Sequence, residues 1–400
     1  MPIEFIIHRH KIIYIPVTKN ITSIHAHVKV NSIWEPIKLS GIAHLLEHVL
    51  LDSWAKCKGS CTKYWSKKGI LSNGYTKPWS TEYFVIGMND SEDMYDYMGS
   101  VMTKPYWSSK CLETAKQAVK DELLVQINNP QWKIEDVFYK SISSRIADYK
   151  LKINNLDTIT LQDLQDYYNQ WYCTGNIFFV IVTNSPISLV KRYLLKYLHP
   201  RPDAITSKPD YLNVKVHDQI LHRKDAKKTT YSIGFVYNKP SQEDVLYYNI
   251  IKDMLVGDVF SLLYKTLRDN LKLIYGIHLN FEITKDSILS TFNMTCQFQN
   301  SEKLYKKFIE ILQNFIVGKY DDYLLERTKE RLTIMDTNSC KENTEYLSSF
   351  YSNQYILTDS LSVTPDMAIR IIQKVSKKKI ITLSKKLFDF QNIIVVCETK

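Results

Sequence analysis

No apolar run in these 400 residues approaches the roughly 18 to 20 residues that a membrane-spanning helix requires. The longest, IFFVIV at 177–182 and NIIVVC at 392–397, have strand lengths, so no contact with a bilayer core is expected. A signal-peptide apolar core is also missing: MPIEFIIHRHKIIYIPV goes straight into strand-like alternation, without an acid-free amphipathic presequence. That predicts an intracellular, cytoplasmic chain. The seven cysteines are odd in number and dispersed, which argues against a disulfide framework and for a reducing compartment. Cys57 and Cys61 form the one close pair; a metal could use that spacing, but no second pair follows at finger spacing. The net charge of +10, with a late cluster in QKVSKKKIITLSKKL, permits contact with acidic surfaces. Without aromatic-interleaved basic motifs, a solvated helix face is the better reading and no nucleic-acid partner is expected.

What is present is the composition of a globular chain, 44% hydrophobic and 24% charged, long enough for two domains. KIIYIPV, SIHAHVKV, STEYFVIGM and NIFFVIVTN read as strands, with helical patterns between the last two. His25 and His27, two apart on a strand, face one way; a polar strand face is preferred there to a metal site. HPRPDAITSKPDYLNV, with three prolines, is a linker candidate, and beyond it strands and helices recur in similar order, closing on NIIVVCET. The predicted organisation is 1–200, a linker at 201–214, and 215–400, two α+β halves of one architecture.

GIAHLLEHVLL at 41–51 sets two histidines and a glutamate on one short apolar segment. As a helix with Ser40 as N-cap, it turns about 100° per residue, placing His44 and His48 about 40° apart and Glu47 about 60° to the other side of His44. One histidine on an apolar helix is more often a satisfied core residue than a ligand. The pair with an interposed Glu is different: with 10 histidines and 17 glutamates, His-x-x-Glu-His arises by chance in roughly one such chain in a hundred. Zinc chemistry needs this set. Two neutral imidazoles hold the cation, a third protein donor completes the shell, and water takes an open position. Water so held ionises near neutrality, and an adjacent carboxylate can pass its proton to a leaving amine. The order of residues is that of the inverted zincin motif.

Glu122 is the candidate third donor. On a helix, Cys111, Ala115, Ala118 and Val119 fall within about 60° of its direction as an apolar stripe, whereas Glu113 points the opposite way. A carboxylate aimed along a core-facing stripe needs a cation or a donor; Zn²⁺ is one solution and a buried Arg or Lys the other.

These segments resemble the pitrilysin, insulysin and mitochondrial-processing-peptidase group of zinc metallopeptidases. GIAHLLEH matches the group's signature, and SNGYTKPWSTEYFVIGM resembles its Asn-Ala-x-Thr strand. KPYWSSKCLETAKQAVKDELLVQINNP resembles the helix of the third ligand, with Glu122 lying 74 residues after His48. MLVGDVFSLLYKTLRDNLKLIYGI resembles an element with an Arg and a Tyr seven apart, here Arg268 and Tyr275.

The resemblance implies an α+β fold of two repeated domains, each a mainly antiparallel sheet with helices packed on it, forming half of a clamshell. It implies a zinc endopeptidase of the short, single-half type acting on peptides or unfolded protein segments, with one Zn²⁺ per chain. His44, His48 and Glu122 would hold the metal and Glu47 would be the general base. Asn73 would bond substrate backbone, or simply serve a turn. A homodimer, or pairing with a related half, would bring Arg268 and Tyr275 to the partner's site, with Tyr275 donating to the oxyanion. An interior Tyr and a surface Arg on an ordinary helix is the competing reading. The competing function is a non-proteolytic assembly or scaffold subunit. Three positions depart from the family pattern: Ala115 replaces a supporting Glu, Asn31 or Ser32 replaces a Gly, and a glycine-rich turn is reduced to Gly257.

Overall fold

A computed structural model describes residues 2–29, 32–57, 60–88, 91–143, 145–203, 217–222, 227–284, 287–339 and 343–400. The chain forms two compact units. The first is Met1–Ile127 with Arg145–Pro209 and Lys341–Ser352; the second is Asn128–Ser144 with Asp210–Cys340 and Asn353–Lys400. The units therefore interleave along the chain, whereas the sequence suggests contiguous halves. Residues 204–214 of the proposed linker lie outside the described residues, as does Asn31.

The first unit is built on strands β1 (Ile3–Ile7), β2 (His10–Pro16), β3 (Ile21–Val28), β4 (Leu71–Thr76), β5 (Thr81–Met88) and β6 (Ile177–Thr183), ordered β1-β2-β6-β3-β5-β4. All seven residues of β6 are buried, as its unbroken apolar run requires of a strand covered on both faces. It pairs parallel with β2 and antiparallel with β3. From β3, Ile24, Ala26 and Val28 alternate into the core, where they join Ile42, Leu45, Leu46, Val49 and Leu50 of the helix Ile42–Leu51.

The second unit repeats the plan. Its strands β7 (His217–His222), β8 (Lys228–Asn238), β9 (Ile274–Ile283), β10 (Ser287–Gln297) and β11 (Ile394–Thr399) are ordered β7-β11-β8-β10-β9. Here too the last strand inserts, parallel to β7 and antiparallel to β8. Two repeated α+β domains are thus present, each with a mainly antiparallel sheet. Leu304, Phe308 and Leu312, spaced by one helical turn, bring the helix Ser301–Ile316 onto Ile233, Phe235 and Phe292.

The helix Pro130–Ile142 also belongs to this unit and packs on β8 and β11. Its approach is so close that a Cβ at Gly234 would overlap the Phe138 ring, so β8 needs a glycine there. The lysine-rich segment is the helix Lys377–Leu387, with Ile380, Leu383 and Leu387 buried and Lys378, Lys385 and Lys386 exposed: a solvated helix face. Among the described residues no helix is long and apolar enough to cross a membrane.

Candidate metal centre

The helix Ile42–Leu51 does not begin as the sequence suggests. Ser40 donates its hydroxyl to the Ile37 carbonyl and caps nothing further on. The N-cap is Gly41, in the left-handed conformation at φ 97° that a residue without Cβ adopts cheaply. The side chain that serves the helix end is Glu35, whose carboxylate accepts from the Gly41 N–H at 2.9 Å and the Ala43 N–H at 2.8 Å. Burial raises the Glu35 carboxyl above its usual range, with Lys152 and the two N–H donors pulling the other way. The positive end of the helix favours its ionised form.

One turn in, His44 and His48 bring their Nε2 atoms within 3.3 Å of each other. Glu122, on the helix Ser109–Asn128, places Oε2 at 3.3 Å from His44 Nε2 and 3.5 Å from His48 Nε2. Donor atoms about 2.0–2.1 Å from a tetrahedral zinc stand about 3.3–3.4 Å apart, so this set fits the cation without rearrangement. The surrounding charge agrees. Burial alone would lower the His48 pKa, but Glu122, Glu47 and Asp52 outweigh it and raise it, the mark of a position that favours positive charge. Contact with His44 and then His48 holds the Glu122 carboxyl far below its usual range.

The stripe argument for Glu122 needs correction. The buried residues of its helix are Leu112, Ala115, Val119 and Leu123, whereas the Glu122 side chain is 48% exposed. It lies about 60° from Val119, at the stripe's edge, where a carboxylate reaches the imidazoles and still keeps solvent contact. Glu113 is exposed. Ala115 is part of the apolar core.

Glu47 is 5% exposed and accepts a 2.7 Å hydrogen bond at Oε2 from the Thr76 hydroxyl. A Cβ at Gly74 would lie 2.8 Å from Glu47 Oε1, so β4 passes directly over the carboxylate. Gly74 and Thr76 share one face of the strand; Asn73 projects from the other and is exposed. Thr76 and Glu35 were not singled out from sequence. The signals available were, for Thr76, its place as the Thr of the Asn-x-x-Thr strand segment and its two-residue period relative to Gly74, and for Glu35 only its place shortly before the motif.

Arg268 and Tyr275 lie in the second unit and meet each other. The Arg268 guanidinium sits 5.1 Å over the Tyr275 ring and 4.8 Å over Tyr264, in a segment, Tyr264–Asn270, that is π-helical. Tyr275 is 87% exposed, so it is not an interior tyrosine. Cys57 and Cys61 are joined in a disulfide, which the dispersed-thiol reading did not include. The Cys61 N–H binds Asp52, the residue closing the motif helix.

Two family models match the chain, with a boundary between them that differs from that of the two compact units. Residues 12–150 match the family model described as insulinase (peptidase family M16), and residues 158–332 match that described as peptidase M16 inactive domain. The chain belongs to peptidase family M16. A relative, the uncharacterized zinc protease YmfH of Bacillus subtilis, is 27% identical over 146 residues. That match covers 36% of this chain and 33% of YmfH, so the chain matches about a third of this curated relative's length. Among solved structures, a protease from Helicobacter pylori superposes with a TM-score of 0.86 at 17% identity, covering all of both chains. The periplasmic protease PqqL of Escherichia coli superposes at 0.74 and 13% identity, covering all of this chain and 47% of PqqL. These two likenesses establish the fold.

Proposed function

We propose that this M16 chain is a zinc-dependent endopeptidase acting on peptides or unfolded protein segments. The convergence of His44 Nε2, His48 Nε2 and Glu122 Oε2 at zinc-ligand spacing carries the reading. Zinc, when bound, would supply Lewis acidity at the scissile carbonyl and lower the pKa of water. Glu47 takes the proton from water and delivers it to the leaving amine. Thr76 keeps that carboxylate oriented. Strand β4 is the sheet edge beside Glu47, so an extended peptide can add to it, with exposed Asn73 offering its amide to substrate backbone.

PqqL, about twice as long as the part that superposes, motivates the assembly. Two such chains, or this chain and a related half, pair so that Arg268 and Tyr275 of one serve the site of the other, Tyr275 donating to the oxyanion. The test of the activity is cleavage of a diverse peptide library by wild type and Glu47→Gln, with zinc measured in both. Zinc in both and cleavage by wild type alone supports the reading. Metal-independent cleavage, or equal cleavage by both proteins, overturns it. A second reading, a non-proteolytic assembly subunit, draws on Ala115, which leaves the site without the carboxylate expected there. It is supported if zinc-loaded wild type cleaves nothing.

A further inference from the structure

The histidines of β3 do not form a solvated polar face. His25 and His27 are 4% and 5% exposed. Glu82 on β5 is the register partner of His27, and its Oε1 lies 2.7 Å from His25 Nδ1 and 3.8 Å from His27 Nε2. His27 Nε2 is buried and has no hydrogen-bond partner among the described residues. The ring is held in place by Phe178, stacked at 4.8 Å between centroids. A buried polar nitrogen left unpaired is destabilising, and this one lies 3.8 Å from a carboxylate oxygen, too distant to satisfy it.

We propose that His25 Nδ1, His27 Nε2 and Glu82 Oε1 form a second divalent-cation site, of the kind that takes Zn²⁺, independent of the motif helix. The three donor atoms lie within 4.8 Å of one another. Zinc ligands stand about 3.3–3.4 Å apart, so the His25–Glu82 contact opens and the His27–Glu82 gap closes by about half an ångström each. Glu82, whose side chain is partly exposed, has room for that adjustment. Metal binding would displace the proton that His25 Nδ1 directs at Glu82 Oε1, and the Nε2–H tautomer would then donate to Ser23 Oγ, 2.6 Å away, the usual outer partner of a ligating histidine. Ser23, His25 and Glu82 also have the connectivity of a nucleophilic triad. Ser23 is fully buried, however, so no substrate can reach its hydroxyl. Lys77 is the cation whose field reaches both His27 and Glu82, and it opposes the metal. The site would clamp β3 to β5, the strand that carries β4.

The test is metal stoichiometry of the full chain by elemental analysis after equilibration with zinc. The four proteins are wild type, His44→Ala/His48→Ala, His27→Gln, and the combination of all three substitutions. Two, one, one and no zinc ions per chain are expected. Zinc should also raise the melting temperature of His44→Ala/His48→Ala, and adding His27→Gln should abolish that rise. Lys77→Met should tighten the remaining site. If His44→Ala/His48→Ala binds no zinc, or His27→Gln binds as much as wild type, the proposal is overturned. Should His27→Gln fail to fold by circular dichroism, Glu82→Gln replaces it, with the same outcomes. The motif site and this one fail separately, because each is counted with the other removed.

Discussion

Thr76→Val isolates the bond that orients Glu47. The substitution keeps a β-branched side chain suited to a strand and removes the hydroxyl that donates to Glu47 Oε2 at 2.7 Å. Glu47 is so little exposed that water does not readily replace the donor. A hydrogen bond to a charged acceptor contributes about 1.5–3 kcal/mol, and each 1.36 kcal/mol is tenfold in rate, so kcat/KM should fall about 10- to 160-fold. Glu47 is not among the three proposed metal donors, so zinc content should not change. The loss should appear in kcat with KM little altered, because the bond aligns a proton acceptor and does not hold substrate. Thr76→Ser retains the hydroxyl and should recover most of the activity, which separates the hydrogen bond from packing. The assay is initial rates on a quenched fluorescent peptide chosen from the library, with zinc and circular dichroism measured on the same samples. Wild-type kcat/KM in folded, zinc-loaded Thr76→Val would refute the assignment of Thr76 as the residue that orients the base.

Glu47→Gln should keep zinc at the motif helix and lose turnover, whereas Glu122→Ala should lose that zinc; Glu113→Ala is the exposed control. Full motif-site occupancy in Glu122→Ala, read in a His27→Gln background, would remove Glu122 from the ligand set. Mixing Glu47→Gln with Tyr275→Phe, each inactive alone, should restore about a quarter of wild-type activity if subunits exchange randomly and share sites across a dimer. No recovery, or a fully active monomer, ends the shared-site reading. In the second unit, burial and then the Glu282 charge raise the Glu135 carboxyl from 4.5 to about 7. A raised carboxyl contributes stability that is complete below about pH 4.5 and lost as pH rises through about 7, so Glu135→Gln should flatten urea-unfolding stability between pH 5 and 8. The gain at pH 8 should be about 3 kcal/mol, and an unchanged pH slope would count against the burial argument.

Much of the fold was legible because strands and amphipathic helices carry their own periodicity. The unbroken apolar run of β6 and the similar run of β11 marked the closing strand of each unit. What the pattern does not encode is which sheet an amphipathic helix packs on. Pro130–Ile142 has a regular apolar face, yet its membership in the second unit rests on a steric match between Phe138 and Gly234, residues far apart in sequence. The pairing of β11 parallel to β7 is equally a tertiary fact.

The candidate centre divides along the same line. His44, Glu47 and His48 were visible because helical geometry alone brings residues spaced by three and four onto one arc. Glu122 was found for a reason that needs revising. Helical phase identified it, but as a residue aimed into the core, when a ligand at the edge of the stripe keeps solvent contact and still reaches both imidazoles. Glu35 and Thr76 act through hydrogen bonds made by chain crossing over the helix, one to its N-terminus and one to its carboxylate. His25 and His27 show the converse limit. Their spacing fixed a shared face, but only the register of β3 against β5 supplies the third donor, and only burial leaves a nitrogen without a partner. Spacing along one element thus identifies the groups that can bind a cation, while the groups that orient them come from pairing between elements, where sequence separation carries no signal.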